Sequence, residues 1–204
     1  MPPVPAAVTP VRLILASSSP RRREILSSLG LKFEVRHADV DETPRRGEGA
    51  AEAVRRLALE KARVVADSEK SSLVVGADTL VALDGVVMGK PADPEEAARM
   101  LLALGGRTHE VLTGVAFVKA DEEFVHAGVC RSEVTFKKIS EATASKYVGT
   151  GEPLGKAGAY AIQGAGGDLV EDYKGSFTNI VGLPVAEILR SVVRFGIERL
   201  EWAR

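Results

Sequence analysis

Residues 13–26, LILASSSPRRREIL, place an apolar run, three hydroxyl residues, a proline and three arginines in succession. This order predicts a strand, a tight loop and a helix, with Ser19 as the N-cap and Pro20 at the first helical position. Arg21 and Arg22 then occupy the first turn, where cations oppose the helix dipole unless an anion lies among them. Free backbone N–H groups, serine hydroxyls and guanidinium groups together predict a phosphate site, and a solvated basic turn is the alternative.

Composition limits the classes of protein to which the chain can belong. The 204 residues are 45% hydrophobic, which is ample for a buried core. With 27 basic and 28 acidic residues the net charge is −1, so no overall field attracts nucleic acid and any basic site must be local. The one cysteine, Cys130, excludes an internal disulfide and a cysteine metal cluster, and we interpret it as a core thiol rather than a nucleophile.

Residues 1–10 differ from the rest of the chain because they contain four prolines. They have neither the basic start nor the long apolar stretch of a signal peptide, and we interpret them as a flexible leader before one domain at 11–204. No apolar run is long enough to span a bilayer. We therefore expect a cytoplasmic protein that has neither a membrane nor a nucleic acid as its partner.

The hydrophobic pattern predicts an α/β fold of the mixed α+β kind. Alternation of apolar and polar residues predicts strands, and the 3, 4, 7 spacing predicts helices. The predicted strands are 32–37, 73–79, 80–83, 86–88, 109–119 and 123–137, and the predicted helices are 52–67, 94–104, 141–148 and 185–200. Residues 149–175 are predicted to be a glycine-rich loop region. We expect a two-lobed single domain in which helices flank a mixed, twisted sheet with a central cleft.

Two acidic positions are candidates for chemistry. Asp78 ends a buried apolar strand, where its carboxylate would be exposed to a ligand, and it is the best catalytic candidate. Glu42 belongs to an acidic cluster that follows the second predicted strand and could hold a cation, and a solvated loop is the alternative. His37, His109 and His126 lack metal-ligand spacing and are predicted to be structural or surface residues.

Two lysines complete the set of candidates. Lys61 interrupts the apolar face of the predicted helix 52–67, which makes it a candidate for chemistry. The alternative is that its aliphatic stem packs along apolar neighbours and its ammonium reaches water. Lys90 lies between a glycine and a proline after the predicted hairpin. The chain has no GxxxxGK[ST], GxSxG or HExxH motif and no GxGxxG that opens a helix after a strand. Basic groups and carboxylates at the ends of elements are what metal-assisted phosphoryl chemistry requires.

Seven ordered segments together carry a resemblance to a known family. They are ASSSPRR (16–22), the acidic pair Asp41 and Glu42, EKA (60–62), GADT (76–79), GKP (89–91), KAGAYAIQG (156–164) and GSFTNIVGLP (175–184). Each segment alone is weak, but their order makes the combination specific. Over residues 13–185 the chain resembles the Maf-like nucleoside triphosphate pyrophosphatases, which are related in fold to the inosine triphosphate pyrophosphatases.

The resemblance implies hydrolysis of a nucleoside triphosphate to the monophosphate and pyrophosphate, with Asp78 as the proton acceptor for the attacking water. It also implies a divalent cation, Mg²⁺ or Mn²⁺, near Glu42 and Asp78, and a homodimer. The residues that it places on the substrate phosphates are Ser17, Arg22, Lys61 and Lys90. Within the family the chain looks like the dTTP/UTP subgroup at three positions, which are Arg21, Thr79 and Gln163.

A nucleotide-binding regulatory module without turnover is the alternative function. Retention of both carboxylates and both lysines favours turnover, because binding alone needs no base. A phosphatase or a kinase is disfavoured, because the phosphate-binding loops that those enzymes usually carry are missing.

Overall fold

A seven-stranded mixed sheet organises the residues that the computed structural model describes, which are 11–43 and 45–197. Its strands are β1 (Leu13–Ala16), β2 (Phe33–Arg36), β3 (Leu73–Leu83), β4 (Val86–Met88), β5 (Thr108–Lys119), β6 (Phe124–Phe136) and β7 (Val170–Lys174). Their order in the sheet is β2-β1-β3-β5-β6-β7, with β4 paired to β3. β1 is parallel to β2 and β3, and the other pairings are antiparallel, so the predicted mixed sheet is confirmed.

Six α-helices in the described part of the chain flank this sheet. They are α1 (Pro20–Ser28), α2 (Ala50–Ala66), α3 (Pro94–Leu104), α4 (Glu141–Val148), α5 (Phe177–Val181) and α6 (Val185–Arg194). On one face, α1 and α6 pack over one half of the sheet, and α3 and α4 pack over the other half. On the opposite face, α2 packs across β1, β3 and β5. The hydrophobic core on the first face is therefore divided into two clusters.

The close contact of α2 with the sheet depends on two glycines. A Cβ on Gly76 of β3 would lie 2.1 Å from the carbonyl oxygen of Ala58, and a Cβ on Gly114 of β5 would lie 2.0 Å from that of Val54. A side chain at either position would therefore push α2 away from the strands. The predicted division between strands 73–79 and 80–83 is wrong, because β3 runs unbroken from Leu73 to Leu83 and pairs with β5 on both sides of that division.

The last two predicted elements need correction. The final helix ends at Arg194 and not at residue 200, since Gly196 adopts a left-handed φ of 57° that an α-helix cannot contain. Val193, an apolar residue of this helix, is 79% exposed. The predicted loop 149–175 includes β7, which pairs with β6. The leader predicted for residues 1–10 and the end of the predicted final helix lie outside the described residues.

Two histidines and the cysteine, for which no chemical role is predicted, lie in different environments. His109 is buried, its Nε2 lies 2.8 Å from the hydroxyl oxygen of Tyr160, and burial lowers its pKa to about 4, so its predicted structural role is confirmed. His126, on β6, stacks against Phe117. Cys130 is only half-buried, so its predicted core position is wrong. No helix in the described ranges has both the length and the apolar character needed to cross a membrane.

Candidate active site

Parallel pairing brings the ends of β1 and β2 beside the middle of β3. Ala16, the last residue of β1, pairs with Arg36 at the end of β2 and with Gly76 in β3. The residues that follow these positions therefore meet at the carboxyl ends of β1 and β2, and ligands bind at such strand ends in open α/β sheets. A cleft of about 440 Å³ lies at these strand ends.

The cleft is lined by all nine residues that the sequence predicts for the site. They are Ser17, Arg21, Arg22, Glu42, Lys61, Asp78, Thr79, Lys90 and Gln163. His37, predicted to be a structural or surface residue, also lines it, as does Lys156, for which no role was predicted. The signal for His37 was its position directly after a strand that ends at the cleft, and the signal for Lys156 was its place in the segment KAGAYAIQG.

Successive residues of β3 face opposite sides of the sheet, and this alternation divides the site between two helices. Asp78 faces α2, from which Lys61 reaches it, and Thr79 faces α1, from which Arg22 reaches it. The sequence pair Asp78 and Thr79 therefore joins two groups of side chains that come from opposite faces of the sheet.

The first group is a row of alternating charges. Lys61 Nζ lies 2.7 Å from Asp78 Oδ1 and 2.6 Å from Glu42 Oε1, and Lys90 Nζ lies 3.0 Å from Glu42 Oε2. Lys61 is only 7% exposed, so the interpretation that its ammonium reaches water is wrong. Partial burial would raise the pKa of Glu42, but hydrogen bonds and charges from Lys61 and Lys90 outweigh it and lower the pKa to about 2. Glu42 is therefore ionised at neutral pH.

The second group is a directed chain of hydrogen bonds that holds Arg22. Arg22 donates to Gly182 O (2.8 Å), to Ser17 Oγ (3.1 Å) and to Thr79 Oγ1 (3.1 Å). Thr113 Oγ1 lies 3.0 Å from Thr79 Oγ1 and donates to the Asn179 carbonyl oxygen. Because Thr113 has one hydroxyl proton, Thr79 must donate to Thr113. Thr79 therefore has no hydroxyl proton left for a ligand, and it fixes the guanidinium of Arg22.

Burial affects Arg21 and Arg22, both in the first turn of α1. It lowers the pKa of Arg22, and the nearby carboxylate of Asp78 opposes this shift. It also lowers the pKa of Arg21, against the charge of Glu152. Ser19 is the N-cap residue as predicted, but its side chain makes no capping bond in the structure. Instead, its backbone N–H donates to Ser17 Oγ. Ser17 thus connects the start of the helix with Arg22.

Together these groups suit an anionic ligand with several charges. Arg21, Arg22, Lys61, Lys90 and Lys156 line one cleft that holds only two carboxylates among its lining residues. Guanidinium and ammonium groups are the usual protein partners of phosphate oxygens. Asp78 is nine-tenths buried beside them and is positioned to exchange a proton with a molecule in the cleft.

Residues 12–195 match the family model described as Maf-like protein. The chain belongs to the Maf-like family. This Maf-like protein is 52% identical over 190 residues to the dTTP/UTP pyrophosphatase of Myxococcus xanthus, covering 93% of this chain and 95% of the relative. It is 48% identical over 184 residues to the dTTP/UTP pyrophosphatase of Pelotomaculum thermopropionicum, covering 90% and 96%.

A solved structure of a HAM1 protein from Coxiella burnetii is also similar to this Maf-like protein, with a TM-score of 0.42 and 19% sequence identity. The superposition covers 62% of this chain and 73% of that one.

Proposed function

We propose that this Maf-like protein hydrolyses dTTP and UTP to the nucleoside monophosphate and pyrophosphate. The observation that carries the proposal is the charge row of Asp78, Lys61, Glu42 and Lys90, which shares one cleft with Arg22. A nucleotide-binding module would need the cations but would have no use for a buried carboxylate beside them. The relatives named dTTP/UTP pyrophosphatase match this chain over nearly its whole length and supply the substrate class.

In the proposed reaction a water oxygen attacks the α-phosphorus, and the bond from that phosphorus to the bridging oxygen breaks. Asp78 accepts a proton from the water. Lys61 holds Asp78 Oδ1, which fixes the carboxylate and leaves Oδ2 for the proton. The leaving group is pyrophosphate, and its new charge is neutralised by Arg22, Lys61 and Lys90. These contacts strengthen as charge develops on the leaving group, so they stabilise the transition state more than the bound substrate and lower the activation barrier.

The proposal includes a divalent cation, Mg²⁺ or Mn²⁺, next to Glu42 and Asp78. The residues fit such an ion, because the carboxylates of Glu42 and Asp78 converge. One oxygen of each carboxylate lies within hydrogen-bonding distance of the same cationic atom, Lys61 Nζ. In the described ranges, no group of three or more His, Cys, Asp and Glu side chains converges on a metal position. Two carboxylates completed by phosphate oxygens and water are the usual arrangement for Mg²⁺. When bound, the ion would neutralise phosphate charge and lower the pKa of a coordinated water.

The Glu42→Gln variant tests the place of Glu42 beside the ion. We expect a raised requirement for Mg²⁺, so that activity is low at limiting Mg²⁺ and partly recovers as the concentration rises. The matched control is Glu48→Gln, because Glu48 is also paired with a basic side chain, that of Arg56, but does not line the cleft. Steady-state rates over a Mg²⁺ titration measure the effect. A defect that is independent of Mg²⁺ would place Glu42 outside the metal shell.

Gln163 is proposed to select the base. A carboxamide has one donor and one acceptor, which match the O4 acceptor and the N3–H donor of uracil and thymine, whereas cytosine presents the opposite pattern. Gln163 is exposed in the cleft wall, where its side chain can meet a base.

The Gln163→Leu variant should lower the ratio of kcat/KM for UTP to that for CTP by roughly 10- to 100-fold, because one buried polar contact is lost. Asp168→Asn is the control, since Asp168 is exposed in the same loop region and does not line the cleft. Rates with UTP, dTTP, CTP and GTP provide the measurement. A uniform loss of rate with unchanged ratios would assign Gln163 only a role in supporting the loop.

Product analysis tests the function as a whole. Purified protein is incubated with each canonical and several modified triphosphates, with and without Mg²⁺ or Mn²⁺, and the products are identified. Pyrophosphate from dTTP and UTP is the expected result. Orthophosphate would indicate a phosphatase, and binding without either product would indicate a regulatory module.

We further propose that the protein acts as a homodimer in the cytoplasm, where dTTP and UTP are available. The family resemblance supports the dimer. We propose no nucleic-acid partner, because a net charge of −1 produces no overall positive field to attract one. Light scattering on the purified protein tests the dimer, and a mass equal to that of one chain would contradict it.

A further inference from the structure

Two side chains outside the cleft hold the segment that carries Gln163, which we name the base loop (residues 161–166). Tyr147 Oη accepts a hydrogen bond from the Ala161 N–H at 3.1 Å. At the other end of the base loop, the carboxylate of Glu152 accepts from the N–H groups of Ala165 and Gly166, each at 3.1 Å. Tyr147 also donates to Glu152 Oε1 at 2.6 Å. The two side chains therefore form one unit that binds both ends of the base loop.

This unit lies behind the cleft wall. Of the described residues, those that line the cleft include Ala161 and Gln163 but neither Tyr147 nor Glu152. Contact between Glu152 and the base loop is close, since a Cβ on Gly164 would lie 2.2 Å from Glu152 Oε2. The residue next to Gln163 must therefore be glycine if the carboxylate is to reach the two N–H groups.

This unit needs a protonated Tyr147 and an ionised Glu152, and both groups have these states at neutral pH. Burial raises the pKa of Tyr147, and its hydrogen bond to Glu152 adds to the shift, so the hydroxyl remains a donor. Burial opposes ionisation of Glu152, but hydrogen bonds from Tyr147, Gly166 and Ala165 outweigh it and lower its pKa. A carboxylate that accepts three hydrogen bonds holds a loop more firmly than neutral acceptors would.

We propose that Glu152 and Tyr147 are positioning residues that set base selectivity by fixing the base loop around Gln163. This inference rests on the proposed function, in which Gln163 reads the base. A carboxamide discriminates only if its donor and acceptor are held in place, because a mobile side chain can turn and pair with cytosine as well. The base loop contains two glycines, Gly164 and Gly166, so the restraint must come from outside it.

The experiment compares kcat/KM for UTP and CTP in Glu152→Gln, Tyr147→Phe and Gln163→Leu, and in each double variant. Glutamine at position 152 keeps the shape but presents an NH₂ group to a backbone N–H, and phenylalanine at 147 removes the hydroxyl. Each of these two variants should lower the UTP/CTP ratio by about 5- to 30-fold, mainly through a raised KM for UTP, with kcat for UTP much less affected. In the Gln163→Leu background neither should lower the ratio further, because both act through Gln163.

Two controls separate positioning from general damage. Glu34→Gln removes a surface carboxylate that binds Arg12 and Arg36, and it should leave the ratio unchanged. Amide hydrogen exchange of Ala165 and Gly166 should become faster in Glu152→Gln, and that of Ala161 in Tyr147→Phe, with little change in Tm. Slow exchange in Glu152→Gln, or an unchanged ratio, would overturn the inference.

Other outcomes distinguish this inference from the proposed function. A further loss of selectivity when Glu152→Gln is added to Gln163→Leu would show that Glu152 does not act through Gln163. If the wild-type protein releases no pyrophosphate, the proposed function is wrong, and the ratio of the UTP and CTP dissociation constants across the same variants then tests the positioning role. An unchanged ratio of dissociation constants would overturn it.

Discussion

The Asp78→Asn variant is expected to lose roughly 10²- to 10⁴-fold in kcat for UTP, because loss of a general base typically has this effect. The amide keeps the shape of the carboxylate, and its oxygen can still accept the hydrogen bond from Lys61. Binding of the triphosphate should persist, since its phosphates meet the cations of the cleft. Pyrophosphate release measures the rate, and calorimetry with UTP measures binding.

Asp84→Asn is the matched control for this substitution. Asp84 lies in the turn between β3 and β4 on the same hairpin, pairs with Arg107 and does not line the cleft. Its φ of 50° is left-handed, and asparagine accepts that conformation, so the fold should be unaffected. A near wild-type kcat for Asp78→Asn would remove Asp78 from the proposed role, whereas equal losses in both variants would point to damage of the hairpin.

Much of the site could be predicted from sequence because several of its residues are unfavourable for the helices that contain them. Arginines in the first turn of α1 oppose its dipole, and a lysine interrupts the apolar face of α2. Such violations are expected where a ligand is bound. Parallel pairing then explains why residues as distant as Ser17 and Asp78 meet at the carboxyl end of β1.

Contacts between distant residues could not be predicted in the same way. Thr113 lies in the middle of a regular buried strand, and only the structure shows that its hydroxyl connects Thr79 with Asn179. Tyr147 fits the apolar face of α4 as well as any aromatic residue, so no local pattern reveals its hydroxyl contacts with the base loop. β7 was missed because the glycines around it favour a loop, whereas pairing with β6 stabilises the strand.

The Gly76 contact shows how packing sets the chemistry. In sequence, Gly76 reads as a break in an apolar strand, but in the structure it allows α2 to approach β3. That approach brings Lys61 within 2.7 Å of Asp78, two residues along the same strand. A lysine has a long and flexible side chain, so the short distance between the two elements is what confines its ammonium between the two carboxylates.

The Lys61→Met variant should lower kcat for UTP by about 10²- to 10³-fold, with a smaller change in KM, because the lost cation stabilises charge in the transition state. Methionine preserves the apolar contacts of the α2 face. Lys119→Met is the matched control, since Lys119 is only 4% exposed and pairs with Asp121 and Glu122, yet does not line the cleft. It should retain wild-type kcat.

Stability separates the two roles of Lys61. Removing its charge leaves Asp78 buried without its lysine partner, and breaking a buried ion pair in this way typically costs about 3 to 5 kcal/mol in the free energy of unfolding. Adding Asp78→Asn removes the unpaired charge, so the double variant should recover much of the lost Tm and none of the lost activity. Thermal unfolding and pyrophosphate release on the same samples test both expectations. A stable and fully active Lys61→Met would show that the ammonium of Lys61 serves neither the fold nor the reaction.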